Sequence, residues 1–135
     1  MIQRIQSVYL LLAAILNVAI FFNSLYGQAQ ADPALWVGLG FTIALILAAV
    51  TSIISIFLYQ NRDMQIKLTS VSAIFQVISL GWGVGIFISL GGFGTFLWDE
   101  GLGVLFLLIA VIAVFMARKK IRDDRELVKS MDRIR

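Results

Sequence analysis

Cysteine and histidine are both missing from these 135 residues, and proline occurs once. The first two absences remove disulfides, Cys/His zinc sites, thiol nucleophiles, bis-histidine haem ligation and imidazole acid/base chemistry together. Charge is also scarce: only 14% of residues are Asp, Glu, Lys or Arg, against the quarter or so usual in soluble domains. What is present is apolar. Hydrophobic residues make up 60% of the chain and the mean hydropathy is +0.93. The composition is that of an integral membrane protein with no enzymatic activity or cofactor expected, and the scarcity of proline and loop-like sequence points to a single unit.

Four apolar runs, about 5–23, 35–60, 66–90 and 101–117, each approach the ~20 residues that cross a hydrocarbon core. The connections "SLYGQAQADPA", "NRDMQ" and "GGFGTFLWDE" carry the turn-forming and polar residues. Backbone groups in lipid must be satisfied internally, and the runs lack the alternation of a barrel strand, so they should be helical. The expected fold is all-α: an antiparallel four-transmembrane-helix bundle over residues 1–117, followed by a short amphipathic cytoplasmic helix within 118–135. Arg4, the first run and "AQA" at 29–31 imitate a cleavable secretory signal. The run is longer than a usual signal core, so retention of the first span is expected.

Every Lys and Arg falls on one side of this layout. Arg4 precedes the first run, Arg62 and Lys67 lie between the second and third, and the other eight, led by Arg118, Lys119 and Lys120, follow the fourth. With five acidic residues, that side nets +6, while the opposite connections hold only Asp32, Asp99 and Glu100. The positive-inside rule therefore places both termini in the cytoplasm, with Arg4, Arg62, Lys67, Arg118, Lys119 and Lys120 as topology anchors. Trp36, Trp98 and Tyr26 fall at the outer ends and Tyr9 and Tyr59 at the inner ends, as aromatic belts do.

No ionisable residue lies deep in a run, which argues against proton-coupled transport. The deep polar residues are Asn17 and Gln76, with Thr51, Ser52, Ser55, Ser72 and Ser79 nearby. Asn17 and Gln76 differ in expected depth by about 6 Å, a gap that two amides can bridge. Interhelical hydrogen bonding is the favoured reading and a polar solute or ion site the alternative. Small residues at spacing four, Ala44, Ala48 and Ser52 on the second run and Gly81 and Gly85 on the third, permit close helix approach. Asp99 and Glu100 suit capping of the fourth helix better than catalysis, because adjacent residues point in different directions. The glycines of "LGGFGTF" lack the Lys-Ser/Thr that would complete a phosphate loop.

In the tail, Ile121, Leu127, Val128, Met131 and Ile134 recur at roughly helical spacing and form a stripe expected to dock a partner or the bundle's inner face. From Asp123 onward four acidic residues balance four basic ones, so nucleic acid binding is not expected. The segments "MIQRIQSVYLLLA", "NRDMQIKL" and "IRDDRELVKSMDRIR" resemble a bacterial family of small four-span membrane proteins classed only as a domain of unknown function. The resemblance implies a cytoplasmic (inner) membrane location and brings no ligand or catalytic residue. The functional expectation is a non-enzymatic accessory or scaffold subunit partnered by the lipid bilayer and by another membrane or cytoplasmic protein. A small passive channel or transporter assembled by oligomerisation is the alternative.

Overall fold

A computed structural model describes residues 2–91 and 98–134, without the side chains of residues 2–4, 132 and 134. The described residues form five helices: α1 (Ile2–Ile20), α2 (Ser24–Ala31), α3 (Leu35–Phe57), α4 (Arg62–Ser89) and α5 (Trp98–Ile134). Three of them, α3, α4 and α5, are long and apolar enough to cross a membrane, and a fourth span results if α1 and α2 count as one crossing bent by 52°.

The breaks have local causes. At the α1–α2 bend, Phe21, Phe22 and Asn23 donate to carbonyls three residues back, a tightened last turn. Asn23 then caps α2, its Oδ1 accepting from the Leu25 backbone at 2.9 Å. The connection expected from Ser24 onward is therefore helical as far as Ala31, because an N-cap asparagine offsets the weak helix propensity of "SLYGQAQA". Asp32 closes the next turn by accepting from the Ala34 backbone at 2.9 Å around Pro33. Asn61 caps α4 through Met64 at 3.2 Å, so that helix starts at Arg62, four residues before the expected span. Gly91, φ 111°, ends α4 in the left-handed conformation that glycine adopts without a Cβ penalty.

The fourth run and the tail are one helix. α5 runs unbroken for 37 residues, about 55 Å at 1.5 Å per residue.

α1 packs on α3 and α5, and α4 packs on the same two, so the four long helices close a ring with α1 opposite α4. The interior is layered. Ile20, Leu25, Phe41, Leu45, Phe87 and Leu107 fill one end, and Leu10, Ala117 and Ile121 fill the other. Between them Ala13, Ala73, Ala110, Ala113 and Val114 form a thin layer that lets the helices approach closely. Outside, Ile15, Ile43, Ile74 and Ile112 are each more than half exposed, whereas Asn17, Ser52, Thr69, Ser72 and Gln76 are fully buried. That distribution inverts the soluble pattern and suits an apolar solvent.

Candidate functional site: a polar seam and a projecting helix end

α4 carries Gln65, Thr69, Ser72, Gln76 and Ser79 on one buried face, at alternating spacings of four and three. That is the spacing of a coiled-coil seam, here occupied by polar groups. Around it lie buried Thr51, Ser52 and Ser55 on α3 and Gln6 and Asn17 on α1.

The seam satisfies itself almost completely. Asn17 Nδ2 donates to Gln76 Oε1 at 2.7 Å, and Gln76 Nε2 returns a bond to Asn17 Oδ1 at 3.2 Å. Asn17 Nδ2 also reaches its own helix at Ala13 O, 2.8 Å. The Ser52 and Ser72 hydroxyls share a hydrogen at 2.7 Å, and Gln65 Nε2 donates to Ser55 O at 2.9 Å. Thr51, Ser55, Thr69 and Ser79 each bond a carbonyl one turn back. Gln6 is the exception: it is 2% exposed and its Nε2 has no hydrogen-bond partner among the described residues.

The small residues divide by face. Ala44, Ala48 and Ser52 are buried in the ring, with Ser72 Oγ 3.4 Å from Ala48 O. Gly81 and Gly85 do not mediate close approach to any described residue, since a Cβ built on either meets nothing among them within 4 Å. Their spacing was legible but their direction was not, because Gly83 between them takes the inward position. A Cβ on Gly83 would lie 2.5 Å from Leu107 Cδ1, and one on Gly40 would lie 2.4 Å from Trp82 Cζ2. Gly40 thus lets the Trp82 indole lie against α3, edge-on to Trp36 with ring centroids 5.9 Å apart.

At the acidic end, Asp99 is hydrogen-bonded to the start of α2. Its carboxylate accepts from the Ser24 backbone at 3.0 Å and from the Ser24 hydroxyl, and Asn23 Nδ2 donates to the Asp99 carbonyl at 3.0 Å. This ties the α1–α2 bend to the first turn of α5. Glu100 is buried. The "LGGFGTF" glycines beyond Gly91 lie outside the described residues.

At the basic end, α5 is clasped to α4 by crossed ion pairs. Arg62 Nε lies 2.8 Å from Asp124 Oδ2, a close pair although not an aligned hydrogen bond, and Arg125 Nε lies 3.0 Å from Asp63 Oδ1. The dipeptide Arg62-Asp63 meets its reverse, Asp124-Arg125. Arg118 Nε donates to Ser70 Oγ at 2.8 Å one layer deeper. Of the expected docking stripe, Ile121 is fully buried against Leu10 and Ala117, so it belongs to the core and is unavailable to a partner. Val128 is half-buried, whereas Leu127 and Met131 are exposed at 53% and 64%. The side chains of Ile134 and Arg4 lie outside the described residues. Lys67 and Lys119 are exposed, and Lys120 is half-buried.

A family model described as "Domain of unknown function (DUF4293)" matches residues 35–134. The chain belongs to this family. The matched segment holds α3, α4 and α5, and with them most of the seam and both ion pairs of the clasp, while Gln6 and Asn17 precede it. No curated protein and no solved structure matches the chain.

Gln6, Gln65 and Thr69 were missed by sequence reasoning. The signal that could have found Gln65 and Thr69 is the run of polar residues at positions 65, 69, 72, 76 and 79, which continues past the apparent edge of the apolar stretch; nothing comparable marks Gln6. Among the described residues no group of three His, Cys, Asp or Glu side chains is placed to hold a metal.

Proposed function

We propose that this chain is a non-enzymatic accessory or scaffold subunit of the bacterial inner membrane, an antiparallel four-span bundle with both termini in the cytoplasm. It docks a partner through the projecting end of α5. The observation that carries this reading is the clasp: two ion pairs brace α5 against α4 and leave Leu127 and Met131, one helical turn apart, exposed beyond it. Apolar anchors at i and i+4 on a rigid helix are a common recognition surface for a groove-bearing partner. The internally paired seam supports a stabilising role for the buried polar groups, since their donors and acceptors are largely spent on one another.

Leu127→Asp with Met131→Asp tests the docking. The double variant should insert and fold as the parent does and lose its stoichiometric partner in affinity purification from mild detergent. Retention of the partner refutes docking through this surface.

A second reading, a small passive channel, draws on one observation, the buried Gln6 Nε2 at the edge of a polar seam, without a partner among the described residues. Solute flux through liposomes containing only the purified chain, abolished by Gln6→Leu, is its distinguishing result.

A further inference from the structure

Two depressions that share Phe115 and Arg118 adjoin on the outer surface of α5, one of them reaching across to α4. One is an apolar groove of about 400 Å³ between the two helices, walled by Ala73, Ile74, Val77, Ile78 and Phe115 and closed at its basic end by Ser70 and Arg118. The other, about 380 Å³, is lined by Phe115, Arg118, Lys119, Arg122, Asp123 and Glu126. Phe115 and Arg118 belong to both, so the greasy groove opens directly into a charged mouth.

We infer that this composite groove is a binding site for one monoanionic phospholipid of the phosphatidylglycerol type. One acyl chain lies between α4 and α5, and the phosphodiester sits against Arg118, Lys119 and Arg122.

Length is the first argument. From Ser70 to Ile78 the groove follows eight residues of α4, about 12 Å of helix axis, close to the ~15 Å of a single leaflet's hydrocarbon. It therefore runs from the membrane boundary nearly to the midplane, the reach of one acyl chain and not of a spanning helix. Placement of the cation is the second. Arg118 is held at the junction by its 2.8 Å bond to Ser70, so a guanidinium stands where glycerol gives way to phosphate without first having to be ordered.

Charge balance selects the headgroup. The mouth offers three cations and two carboxylates, a net of +1, which matches one phosphodiester. Asp123 and Glu126 disfavour a second phosphate, and their oxygens can accept hydrogen bonds from headgroup hydroxyls. Glu126 also lies 3.6 Å from Arg122, a loose and exposed pair that a phosphate can displace. Basic pockets between helices at the membrane boundary are a known arrangement for anionic lipid, in which each basic group contributes roughly 1 kcal/mol near the surface.

The test is native mass spectrometry of the full chain. It is released from detergent micelles containing equal amounts of phosphatidylglycerol, phosphatidylcholine and cardiolipin with the same acyl chains. Phosphatidylglycerol should be retained preferentially as a single adduct. Lys119→Gln with Arg122→Gln, both at exposed positions, should reduce that adduct by about five-fold for each cation removed. Ile74→Trp, which fills the groove from an exposed position and leaves the charges intact, should reduce it comparably. Lys129→Gln, outside the lining of both depressions, should not. Unchanged far-UV circular dichroism establishes that each variant is folded. Equal retention of the three lipids, preference for cardiolipin, an undiminished adduct in Ile74→Trp, or the same loss in Lys129→Gln would each overturn the proposal.

Discussion

Replacing Asn17 by Leu keeps the branch at Cγ, and replacing Gln76 by Met keeps the unbranched length, so each change removes polarity with little change of shape. In the parent the two amides exchange two bonds, 2.7 and 3.2 Å long, between residues that are fully buried. Interhelical hydrogen bonds in lipid are worth ~0.6 kcal/mol on average and up to ~1.7. Either single change loses both bonds and leaves the other amide short of partners in the ring, Gln76 with none from Asn17 and Asn17 with only its bond to Ala13 O, which costs about 1 kcal/mol more. Each single variant should therefore lose about 2 kcal/mol. The double variant strands nothing and should lose only about 1, not 4, leaving a coupling energy near ~3 kcal/mol. The measurement is a double-mutant cycle from SDS titrations in mixed micelles, followed by far-UV circular dichroism at one protein concentration. Additivity within ~0.5 kcal/mol, the usual scatter for independent sites, would mean that the two amides do not depend on each other and would refute this account of the seam.

The clasp should be asymmetric. Asp124, with only 12% of its side chain exposed, should cost about 1–3 kcal/mol when changed to Asn, whereas Asp63, 66% exposed, should cost under ~1, both read by the same titration. Glycine substitutions should divide by face: Gly40→Ala forces an unyielding indole aside, costs about 1–3 kcal/mol and shifts tryptophan emission, while Gly81→Ala and Gly85→Ala are neutral or stabilise by up to ~1. If Gly40→Ala is as benign as Gly81→Ala, the packing of Trp82 on α3 is wrong. A Ser130→Cys variant of this cysteine-free chain should resist an impermeant thiol reagent added to intact cells, and rapid labelling would reverse the assigned orientation.

The apolar runs were legible because a membrane allows no compromise about backbone hydrogen bonds, and long hydrophobic stretches have few other uses. Edges were harder to read. Gln65 looked like part of a polar turn, although Asn61 caps the helix early and carries Gln65 inside. "SLYGQAQA" reads as loop by composition, and only the Asn23 cap and the Asp99 bonds to Ser24 make it a helix. Arg118 to Lys120 marked a membrane boundary, but a boundary in charge need not be a boundary in backbone, and α5 continues through it. Depth along the helices put Asn17 and Gln76 within reach of each other, and only the packing shows their two amides exchanging hydrogen bonds. The inward turn of Gly83 and outward turn of Gly81 and Gly85 did not, since spacing along a helix gives relative direction and only packing gives absolute direction. The crossed clasp was invisible for a similar reason: two oppositely ordered dipeptides 62 positions apart carry no sign of contact.

The polar seam also bears on how the chain enters a membrane. α4 has the lowest hydropathy of the three long helices, 1.9 against 2.4 and 2.5, because its inward face is amide and hydroxyl. Alone in lipid it would expose two glutamines whose partners lie on other helices, so it is poorly suited to leave the insertion machinery by itself. α3 precedes it by four residues and supplies Ser52 opposite Ser72 and the Ser55 carbonyl for Gln65. A hairpin of α3 and α4 can thus partition as one body with every seam residue of α4 except Gln76 already matched. Gln76 must wait for Asn17 on α1, which emerges from the ribosome first. On the four-span reading proposed above, α1 has to stay beside the insertion site until α4 arrives, and a chain that loses α1 early is left with the Gln76 amide unpaired.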